Sequence, residues 1–552
     1  MRSASTRPLT TLVRRSWPVL LVVAGAACSG PTQPVVLEAQ RSVSEVATED
    51  DGGTDTAGSG TVPAGSTPVT VDPEPADEIT DESIDATDAT DATETTTDDT
   101  ADAEPRLSRS VSAGDRRFPQ LGSSDIDVAH YDVALTYDPE RHRLDGSVMI
   151  ELVTTADTDQ LALDADEIRV TSVRVGGREQ AFEIDDRELI TALDSIVPAG
   201  TELDVTVDYA AELDVGAGRP FGPDAGIFVT ADGLWSVNEP DGLSTWIPAN
   251  DHPTDKATWT FALTVPEGDT AVANGEFTGA VDVEGGTTWT WEQSDPMAPY
   301  LVLFLVGDYE LIDGGTTPSG VDLRHAVIEG SSPAIDRYNA ITLRQFEFFE
   351  ELFGPYPLDR YGLAITDSVP GLAMETQGLS LFSRGDLDGS LGFVQHLLLA
   401  HELAHQWFGN AVSPATWDDI WLNEGFATYA QWMWLDHVGL LTLDSLAGDA
   451  LARSPVDEGP VARPDELFGP VSYDAGATVL HALRSTVGDD AFFEGLRSWV
   501  TEYADSTATT GQFVDHMESV SGVDLDRFVT AWIDAEDRPD RYPDPATPGI
   551  GA

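Results

Sequence analysis

The sequence predicts two folded domains in succession, an all-β domain followed by a mostly α-helical domain. Between residues 125 and 313, apolar side chains alternate with polar ones, which is the two-residue period of strands with one buried face. From Ala334 onward the apolar spacing lengthens to that of amphipathic helices. With 552 residues, 41% of them hydrophobic, the chain is long enough to bury two sizeable cores.

The first 28 residues resemble an export signal. Several arginines precede a short apolar stretch at Val19–Val23, and small residues lead to Cys28. The apolar stretch is too short to span a bilayer, so we expect no transmembrane helix in the mature chain. Small residues before a lone cysteine are typical of bacterial lipoproteins. They predict lipidation of Cys28 and a lipid-anchored protein at the cell envelope or extracellular face, with an ordinary cleaved signal as the alternative.

An acidic segment follows, which we predict to be a disordered tether over residues 29–120. Between Ser42 and Pro105 the sequence has 19 acidic residues and no lysine or arginine. Such a segment cannot bury enough apolar surface to offset its ordering entropy. The whole chain has 97 acidic and 29 basic residues, a formal charge of −68 that excludes nucleic-acid binding. Its single cysteine excludes an internal disulfide and a thiolate metal cluster.

The alternating region is predicted to form an N-terminal β domain over residues 121–313. Turns rich in glycine, aspartate and proline separate its short apolar runs, which favours short strands joined by tight connections. The domain boundary is predicted near Gly314. The strands expected from the alternation are centred on Tyr131–Tyr137, Val148–Leu152, Val170–Val175, Leu203–Val207, Thr258–Leu263 and Tyr300–Val306.

The helical region is predicted to form the second domain over residues 314–540. A flexible tail, rich in proline and small residues, is expected at 541–552. The helices expected from the apolar spacing are Ile335–Phe353, Leu391–Phe408, Gly425–His437, Tyr473–Val487, Asp490–Tyr503 and Thr510–Val520.

The second of these helices contains the sequence HELAH at residues 401–405. Residues four apart lie on one helix face, so His401 and His405 can present two imidazole nitrogens to one zinc ion. Glu402 is then placed to take a proton from the water that the zinc ion activates. Two histidines leave a catalytic zinc under-ligated, and Glu424, with eighteen residues between it and His405, is the predicted third ligand. A chance HExxH sequence is the alternative.

Two segments of the sequence, HELAHQWFGN and WDDIWLNEGFATY, resemble the conserved motifs of the aminopeptidase N family. The members of this family are zinc metallo-aminopeptidases of the gluzincin type. The resemblance covers nearly all of residues 125–535. It implies a saddle-like β sandwich domain packed on a thermolysin-like catalytic domain that holds one zinc ion. Larger family members carry a further helical domain. The sequence resembles a short member without it, which implies an open cleft that admits longer peptides.

The resemblance also implies a substrate-binding role for residues upstream of the zinc helix. In the family a GxMEN word runs along the substrate as an edge strand, and its glutamate binds the free α-amino group. The matching residues are Gly371, Ala373, Met374 and Glu375, and Thr376 stands where the family usually has asparagine. This departure weakens the match for docking of the substrate backbone but leaves the glutamate in place. A solvated glutamate in a loop is the alternative for Glu375.

Two further residues take their roles from the same resemblance. Glu239, in the word SVNEP, is similar to the residue that supplies a second amine-binding group from the β domain. Tyr473 is similar to a tyrosine whose hydroxyl stabilises the oxyanion of the tetrahedral intermediate, although Ala475 replaces a common family lysine. A surface glutamate and a core tyrosine are the respective alternatives.

The predicted function is therefore that of a zinc metallo-aminopeptidase acting on peptides with a free N-terminus. Two alternatives stay open: a zinc metallo-endopeptidase without N-terminal selection, and a surface lipoprotein that binds peptides without cleaving them. The presence of Glu375 argues against the endopeptidase. The presence of Glu402 argues against the binding protein, because binding alone does not need a general base.

Overall fold

The computed structural model describes most of the region that the sequence predicts to be folded. The described residues are 112–213, 225–230, 233–367, 371, 373–389, 392–453 and 459–543. The predicted signal peptide with Cys28, the predicted tether up to residue 111 and the predicted tail from residue 544 lie outside them. Within the described ranges, no helix combines the length and the apolar composition needed to cross a membrane.

The first domain consists of three sheets. Its strands are β1 (Ile126–Asp138), β2 (Arg143–Thr154), β3 (Thr158–Asp164), β4 (Arg169–Val175), β5 (Arg178–Glu179), β6 (Phe182–Asp185), β7 (Glu188–Val197), β8 (Glu202–Glu212), β9 (Gly226–Thr230), β10 (Gly233–Val237), β11 (Ala257–Pro266), β12 (Thr270–Ala273), β13 (Glu276–Val283), β14 (Gly286–Met297) and β15 (Phe304–Gly307). The largest sheet has the order β13-β14-β11-β1-β2-β8-β4-β5. The smaller sheets are β12-β15-β10-β9 and β3-β7-β6.

Aromatic residues at alternating positions form the core of the largest sheet. Strands β1 and β11 pair in parallel with Tyr131 opposite Trp259, and the two rings stack with centroids 4.0 Å apart. Trp259 also stacks on Phe261, two residues further along β11. All three side chains are buried. The two-residue period of the sequence thus becomes a single buried sheet face.

The second domain begins with a mixed sheet that the sequence pattern did not predict. Its strands are β16 (Tyr309–Thr316), β17 (Asp322–Ile328), β18 (Arg360–Tyr361), β19 (Leu363–Thr366), β20 (Ala373–Met374) and β21 (Ser380–Ser383). The order is β16-β17-β19-β21-β20, and β18 pairs with β17. The predicted boundary at Gly314 therefore falls inside β16.

Helices make up most of the remaining chain. They are α1 (Ser332–Phe353), α2 (Arg384–Leu387), α3 (Gly392–Ala404), α4 (Trp421–His437), α5 (Leu443–Arg453), α6 (Gly476–Val487), α7 (Asp489–Tyr503), α8 (Thr510–Ser521) and α9 (Asp526–Phe528). Two short strands, β22 (Val412–Pro414) and β23 (Ser506–Ala508), pair in parallel. The predicted order, a sheet-rich domain followed by a helical domain, is confirmed.

The zinc helix α3 is shorter than the sequence predicts. It ends at Ala404 rather than Phe408, because the chain turns at Gly409, whose φ of +125° favours glycine. The backbone N–H of Asn410 then bonds to the His405 carbonyl at 3.0 Å, which caps the end of the helix. His405 therefore lies just beyond the helix and not within it.

Other element boundaries also differ from the predictions. Helix α4 begins at Trp421, so Glu424 lies within its first turn and not ahead of it. Residues 300–306 are not one strand, since Pro299 starts a 3-10 turn and β15 begins only at Phe304. Helix α5 was not predicted.

The chain enters the folded region earlier than the predicted end of the tether at residue 120. Asp115 is buried and accepts a hydrogen bond from the Trp417 backbone N–H at 2.7 Å. The Arg116 guanidinium donates two bonds of 2.7 Å to the Asp418 carboxylate. Charged side chains and one aromatic ring, that of Phe118 set edge-on to Trp417 with centroids 6.2 Å apart, hold residues 112–120 in place. Composition does not register these few specific contacts, which is why the tether prediction extended too far.

Candidate active site

The three predicted metal ligands meet at one point between α3 and α4. The Glu424 Oε2 atom lies 3.2 Å from His401 Nε2 and 3.6 Å from His405 Nε2. All three side chains are buried. Metal–ligand bonds of about 2.0–2.1 Å at tetrahedral angles place two ligand atoms about 3.3 Å apart. The observed spacing therefore matches the coordination sphere of a zinc ion.

The hydrogen bonds on the far side of each imidazole ring fix its orientation. His401 Nδ1 lies 3.1 Å from the Gln431 side-chain oxygen, and His405 Nδ1 lies 3.1 Å from the Phe408 carbonyl. Both partner oxygens only accept hydrogen bonds, so both Nδ1 atoms donate. The two Nε2 atoms are left to face the Glu424 carboxylate. Two nitrogen lone pairs and one carboxylate that face the same point together form a binding site for a cation. Two histidines and one glutamate are a ligand set typical of catalytic zinc.

Three more carboxylates lie beside this triad. Oxygens of Glu239, Glu375 and Glu424 lie within 4.8 Å of one another, and so do donor atoms of Glu375, Glu402 and His405. Oε1 of Glu239 and Oε1 of Glu375 are buried and have no hydrogen-bond partner in the described part of the chain. The structure therefore brings Glu239, Glu375 and Glu402 together with the metal ligands in one acidic site.

Glu239 reaches the site from the first domain, just after β10. The preceding residue, Asn238, is buried and anchors the loop with its side chain. Its amide donates to the Val302 carbonyl at 2.6 Å and accepts from the Trp246 indole N–H at 2.9 Å. The loop is thus fixed to the core of the β domain, and Glu239 is only 2% exposed.

Glu375 reaches the site from the second domain, just after the edge strand β20. Its backbone carbonyl accepts hydrogen bonds from the Asn410 side-chain amide at 2.7 Å and from the Gln406 amide at 3.2 Å. The following residue, Thr376, is buried, and its hydroxyl donates to the Leu379 carbonyl. The threonine that departs from the family pattern therefore closes a turn within its own loop.

The other predicted substrate-binding residues line the same edge of the mixed sheet. Ala373 and Met374 pair antiparallel with Phe382 and Leu381 of β21, so β20 is the outermost strand of its sheet. Gly371 has a φ of +93° and donates its backbone N–H to the Asp386 carboxylate at 2.5 Å.

Tyr473 lies against the zinc helix. It belongs to a short π-helical turn at Val471–Ala475 that leads into α6. Its ring is nearly parallel to the His401 ring, with centroids 6.1 Å apart. Two glycines permit the close approach of α4 to α6, the helix that follows this turn, since a Cβ atom on Gly425 of α4 would lie 2.8 Å from the backbone of Gly476 of α6.

Burial and charge shift the acid–base equilibria of the site. Burial raises the pKa of Glu402 well above its usual range, although the charge of His405 opposes the shift. Burial, reinforced by Glu375 and Glu424, does the same to the pKa of Glu239. Burial lowers the pKa of His405, but the carboxylates of Glu375 and Glu424 outweigh burial and raise it to about 10. The site as a whole favours bound positive charge.

Three positioning residues were missed by sequence reasoning. Gln431 orients His401, and Gln406 and Asn410 hold the backbone of Glu375. Gln406 and Asn410 lie within the HELAHQWFGN word, and Gln431 lies two helical turns after Glu424 on α4. The words that carried the resemblance therefore contained two of these residues, but an amide side chain has no ligand spacing that marks its role.

Comparison with known proteins agrees with this architecture. The Peptidase M1 N-terminal domain matches residues 128–301, and the Peptidase family M1 domain matches residues 338–532. Glutamyl aminopeptidase of Sus scrofa is 28% identical over 458 residues, which are 76% of this chain and 48% of that protein. Leucyl aminopeptidase of Saccharolobus solfataricus is 26% identical over 74% of this chain and 53% of that protein. The chain spans about half the length of the curated relatives it matches.

Solved structures match over their whole length. A variant of a two-domain M1 zinc metallopeptidase bound to L-arginine is 31% identical and superposes with a TM-score of 0.71, covering 79% of this chain and 100% of that one. A variant of the M1 zinc metallopeptidase from Deinococcus radiodurans bound to a Tyr-Ser-Ala substrate is 29% identical with a TM-score of 0.69 and the same coverage. The chain therefore belongs to peptidase family M1, and the cofactor of its HExxH site is zinc.

Proposed function

We propose that the chain is an aminopeptidase that hydrolyses the first peptide bond of peptides with a free N-terminus. The observation that carries this proposal is the pair of buried carboxylates, Glu239 and Glu375, beside the zinc ligand Glu424. Each has an oxygen without a hydrogen-bond partner among the described residues. Buried carboxylate oxygens require a positive or hydrogen-bonding partner, and a substrate α-ammonium group supplies both.

The position of this pair restricts where a peptide is cut. An ammonium group held by Glu239 and Glu375 lies within one residue's length of the metal site, so only the first carbonyl carbon can reach it. An acetylated N-terminus carries no charge and leaves both carboxylates unpaired, which is costly in a buried site. The same pair therefore selects a free amine and limits hydrolysis to the first bond.

The residues around the metal site have complementary roles in hydrolysis. Zinc, when bound, supplies a Lewis acid that polarises the peptide carbonyl and lowers the pKa of water. Glu402 takes a proton from the attacking water at its carboxylate oxygen and passes it to the nitrogen of the leaving amine. The raised pKa of Glu402 favours the first transfer, because a carboxylate with a higher pKa is a stronger base. The hydroxyl of Tyr473 donates to the carbonyl oxygen as that oxygen becomes negative.

The edge strand β20 offers the substrate backbone a partner. Its two residues, Ala373 and Met374, pair with β21 on one side only, so a peptide can add as a further strand on the other. A Tyr-Ser-Ala peptide is bound to the related Deinococcus radiodurans enzyme. We infer that short peptides of this kind are substrates of this chain as well.

The test is hydrolysis of one short peptide offered with a free and with an acetylated N-terminus. The zinc-loaded enzyme is expected to cleave only the free form. A chelator should abolish cleavage and added zinc should restore it. Glu402→Gln is the matched control, since it keeps every metal ligand and removes the general base.

The other outcomes point to the alternatives. Cleavage of both forms would indicate an endopeptidase and contradict the amine-binding role of Glu239 and Glu375. A chain that holds zinc and cuts neither form would be a binding protein. Lipid anchoring through Cys28 at the cell envelope stays a prediction, tested by the mass of the mature N-terminus.

A further inference from the structure

The only lysine of the chain, Lys256, joins the two domains next to the active site. It lies just before β11 in the first domain, and its Nζ atom donates to the Asn410 carbonyl at 2.6 Å and to the Ala411 carbonyl at 2.9 Å. Both acceptors follow the zinc helix in the second domain. No carboxylate among the described residues lies within ion-pair distance of Nζ. The ammonium group is therefore bound by backbone carbonyls in a chain with 97 acidic residues.

The loop that Lys256 holds has two contacts with the active site. The backbone N–H of Asn410 bonds to the carbonyl of the zinc ligand His405, and that of Ala411 bonds to the Gln406 carbonyl. The Asn410 side-chain amide donates to the Glu375 backbone carbonyl at 2.7 Å. Lys256 is thus connected, through the single intervening residue Asn410, to both the end of the zinc helix and the proposed amine-binding glutamate.

A lysine is suited to this position in a way that an arginine is not. All the other basic residues of the chain, 28 of 29, are arginines. An ammonium group is compact and has only three donors, two of which these carbonyls take, whereas a planar guanidinium has five donors that would need partners in the same buried space. Burial lowers the pKa of Lys256 to about 7, so this ammonium is held at an energetic cost.

We propose that Lys256 is a positioning residue for recognition of the substrate amine. By fixing the Asn410 loop to the first domain, it holds the backbone of Glu375, from the second domain, in register with Glu239, from the first. The substrate ammonium then meets two carboxylates at a fixed separation. This proposal rests on the proposed function, since it concerns how the amine-binding pair is held together.

The first test compares Lys256→Met with the zinc-loaded wild type. Methionine keeps an unbranched apolar stem and removes the ammonium group. We expect KM for a free-amine peptide to rise about tenfold or more, the effect typical of displaced positioning groups, with kcat changed less than about threefold. Zinc content and zinc affinity should stay at the wild-type value, because all three metal ligands are retained.

The second measurement is direct binding without turnover. In a Glu402→Gln background, the dissociation constant of a free-amine dipeptide should rise with Lys256→Met by the same factor as KM. Asn410→Ala should raise it as well, because that variant removes the bond to Glu375. If the effect of Lys256 passes through Asn410, the two substitutions should not add up. The variant that carries both Lys256→Met and Asn410→Ala should then bind the dipeptide no more weakly than the single variant with the larger dissociation constant.

Arg117→Met is the matched control. Arg117 also donates to two adjacent backbone carbonyls of the second domain, those of Pro464 and Asp465, and to the Asp418 carboxylate. In the described part of the chain, no hydrogen bond or ion pair joins it to Glu375 or Asn410. Its loss is expected to lower the melting temperature and leave KM unchanged. If Lys256→Met behaves in the same way as Arg117→Met, Lys256 only clamps the domains and the proposal is overturned.

Further results would also overturn it. Loss of zinc in Lys256→Met would show that the lysine supports the zinc helix instead of Glu375. If the two substitutions together raise the dissociation constant by the product of their separate factors, Lys256 does not act through Asn410. Should Lys256→Met fail to fold, an unchanged dissociation constant in Asn410→Ala is decisive against the proposal. Wild-type cleavage of acetylated peptides would instead refute the proposed function itself, which keeps the two failures distinguishable.

Discussion

The predicted zinc triad and the proposed amine-binding pair occupy one site but are built in different ways. The predicted ligands His401 and Glu424 lie on the consecutive helices α3 and α4, and His405 directly follows α3, so all three come from one domain. The two carboxylates Glu239 and Glu375 come from different domains, one from a loop after β10 and the other from a loop after β20. The triad is a local structure, whereas the pair exists only where the domains are packed together.

This difference separates binding of the metal from selection of the substrate. A shift between the domains would leave the triad intact, because α3 and α4 pack against each other within one core. The same shift would move Glu239 relative to Glu375. Contacts across the interface, such as the Asn274 amide that donates to the Gln377 carbonyl at 2.9 Å, oppose that shift. Zinc affinity and amine selectivity should therefore respond to different substitutions.

The largest effect is expected from the triad itself. His405→Ala removes one of three ligands and leaves Glu424 facing a single imidazole, so the variant should lose both zinc and activity. Metal analysis of the purified variant and its peptidase assay check this. Full zinc occupancy in His405→Ala would contradict the ligand assignment. Removal of zinc from the wild type by a chelator should give the same inactive state, reversibly.

Glu402→Gln should be the next most severe change. Loss of a general base typically costs about 10²–10⁴-fold in rate. Zinc content and the dissociation constant of a free-amine dipeptide should stay unchanged, because neither the triad nor the amine-binding pair is altered. Single-turnover kinetics with metal analysis test this. A variant that keeps wild-type kcat would exclude Glu402 as the base.

Tyr473→Phe should lower kcat by about 10²–10³-fold, the usual effect of losing one oxyanion donor. Phenylalanine keeps the ring that packs beside His401 at 6.1 Å, so folding and zinc content should be preserved. The readout is kcat against KM, and KM should change little. An unchanged kcat would return Tyr473 to the role of a core residue.

Glu375→Gln and Glu239→Gln should reduce the preference for a free amine over an acetylated N-terminus. Hydrogen bonds to charged groups contribute about 1.5–3 kcal/mol, which corresponds to roughly 10–100-fold in kcat/KM for the free-amine peptide. Zinc affinity should not fall. The ratio of the two kcat/KM values is the measurement. Equal ratios in wild type and variants would contradict the distinction between the triad and the pair.

The smallest effect is expected from Gln431→Ala. Residues that orient a metal-bound histidine usually contribute about 10–100-fold in metal affinity. Gln431 is a neutral amide, so a loss near the lower limit, about tenfold, is expected. Competition with a chromophoric chelator measures the zinc affinity. Amine selectivity measured at saturating zinc should be that of the wild type, since Gln431 contacts only His401 in the site.

Much of the fold could be predicted from the sequence, and the exceptions have identifiable causes. The alternation at Tyr131–Tyr137 predicted β1 correctly, because one face of that strand is buried. The parallel strands β17, β19 and β21 were missed, since strands buried on both faces show short apolar runs without alternation. Helix α3 ended early because a turn at Gly409, which periodicity does not register, stops it.

Residue spacing alone was enough to predict the metal site. A helix fixes the relation between residues four apart, so HELAH at residues 401–405 placed two histidines on one face before any packing was known. The remaining contacts of the site depend on how distant segments of the chain pack together. Glu239 meets Glu375, Tyr473 meets His401 across the contact of Gly425 with Gly476, and Lys256 meets Asn410. Each of these contacts joins distant parts of the chain, and local backbone geometry cannot specify a distance that depends on how two packed elements fit together.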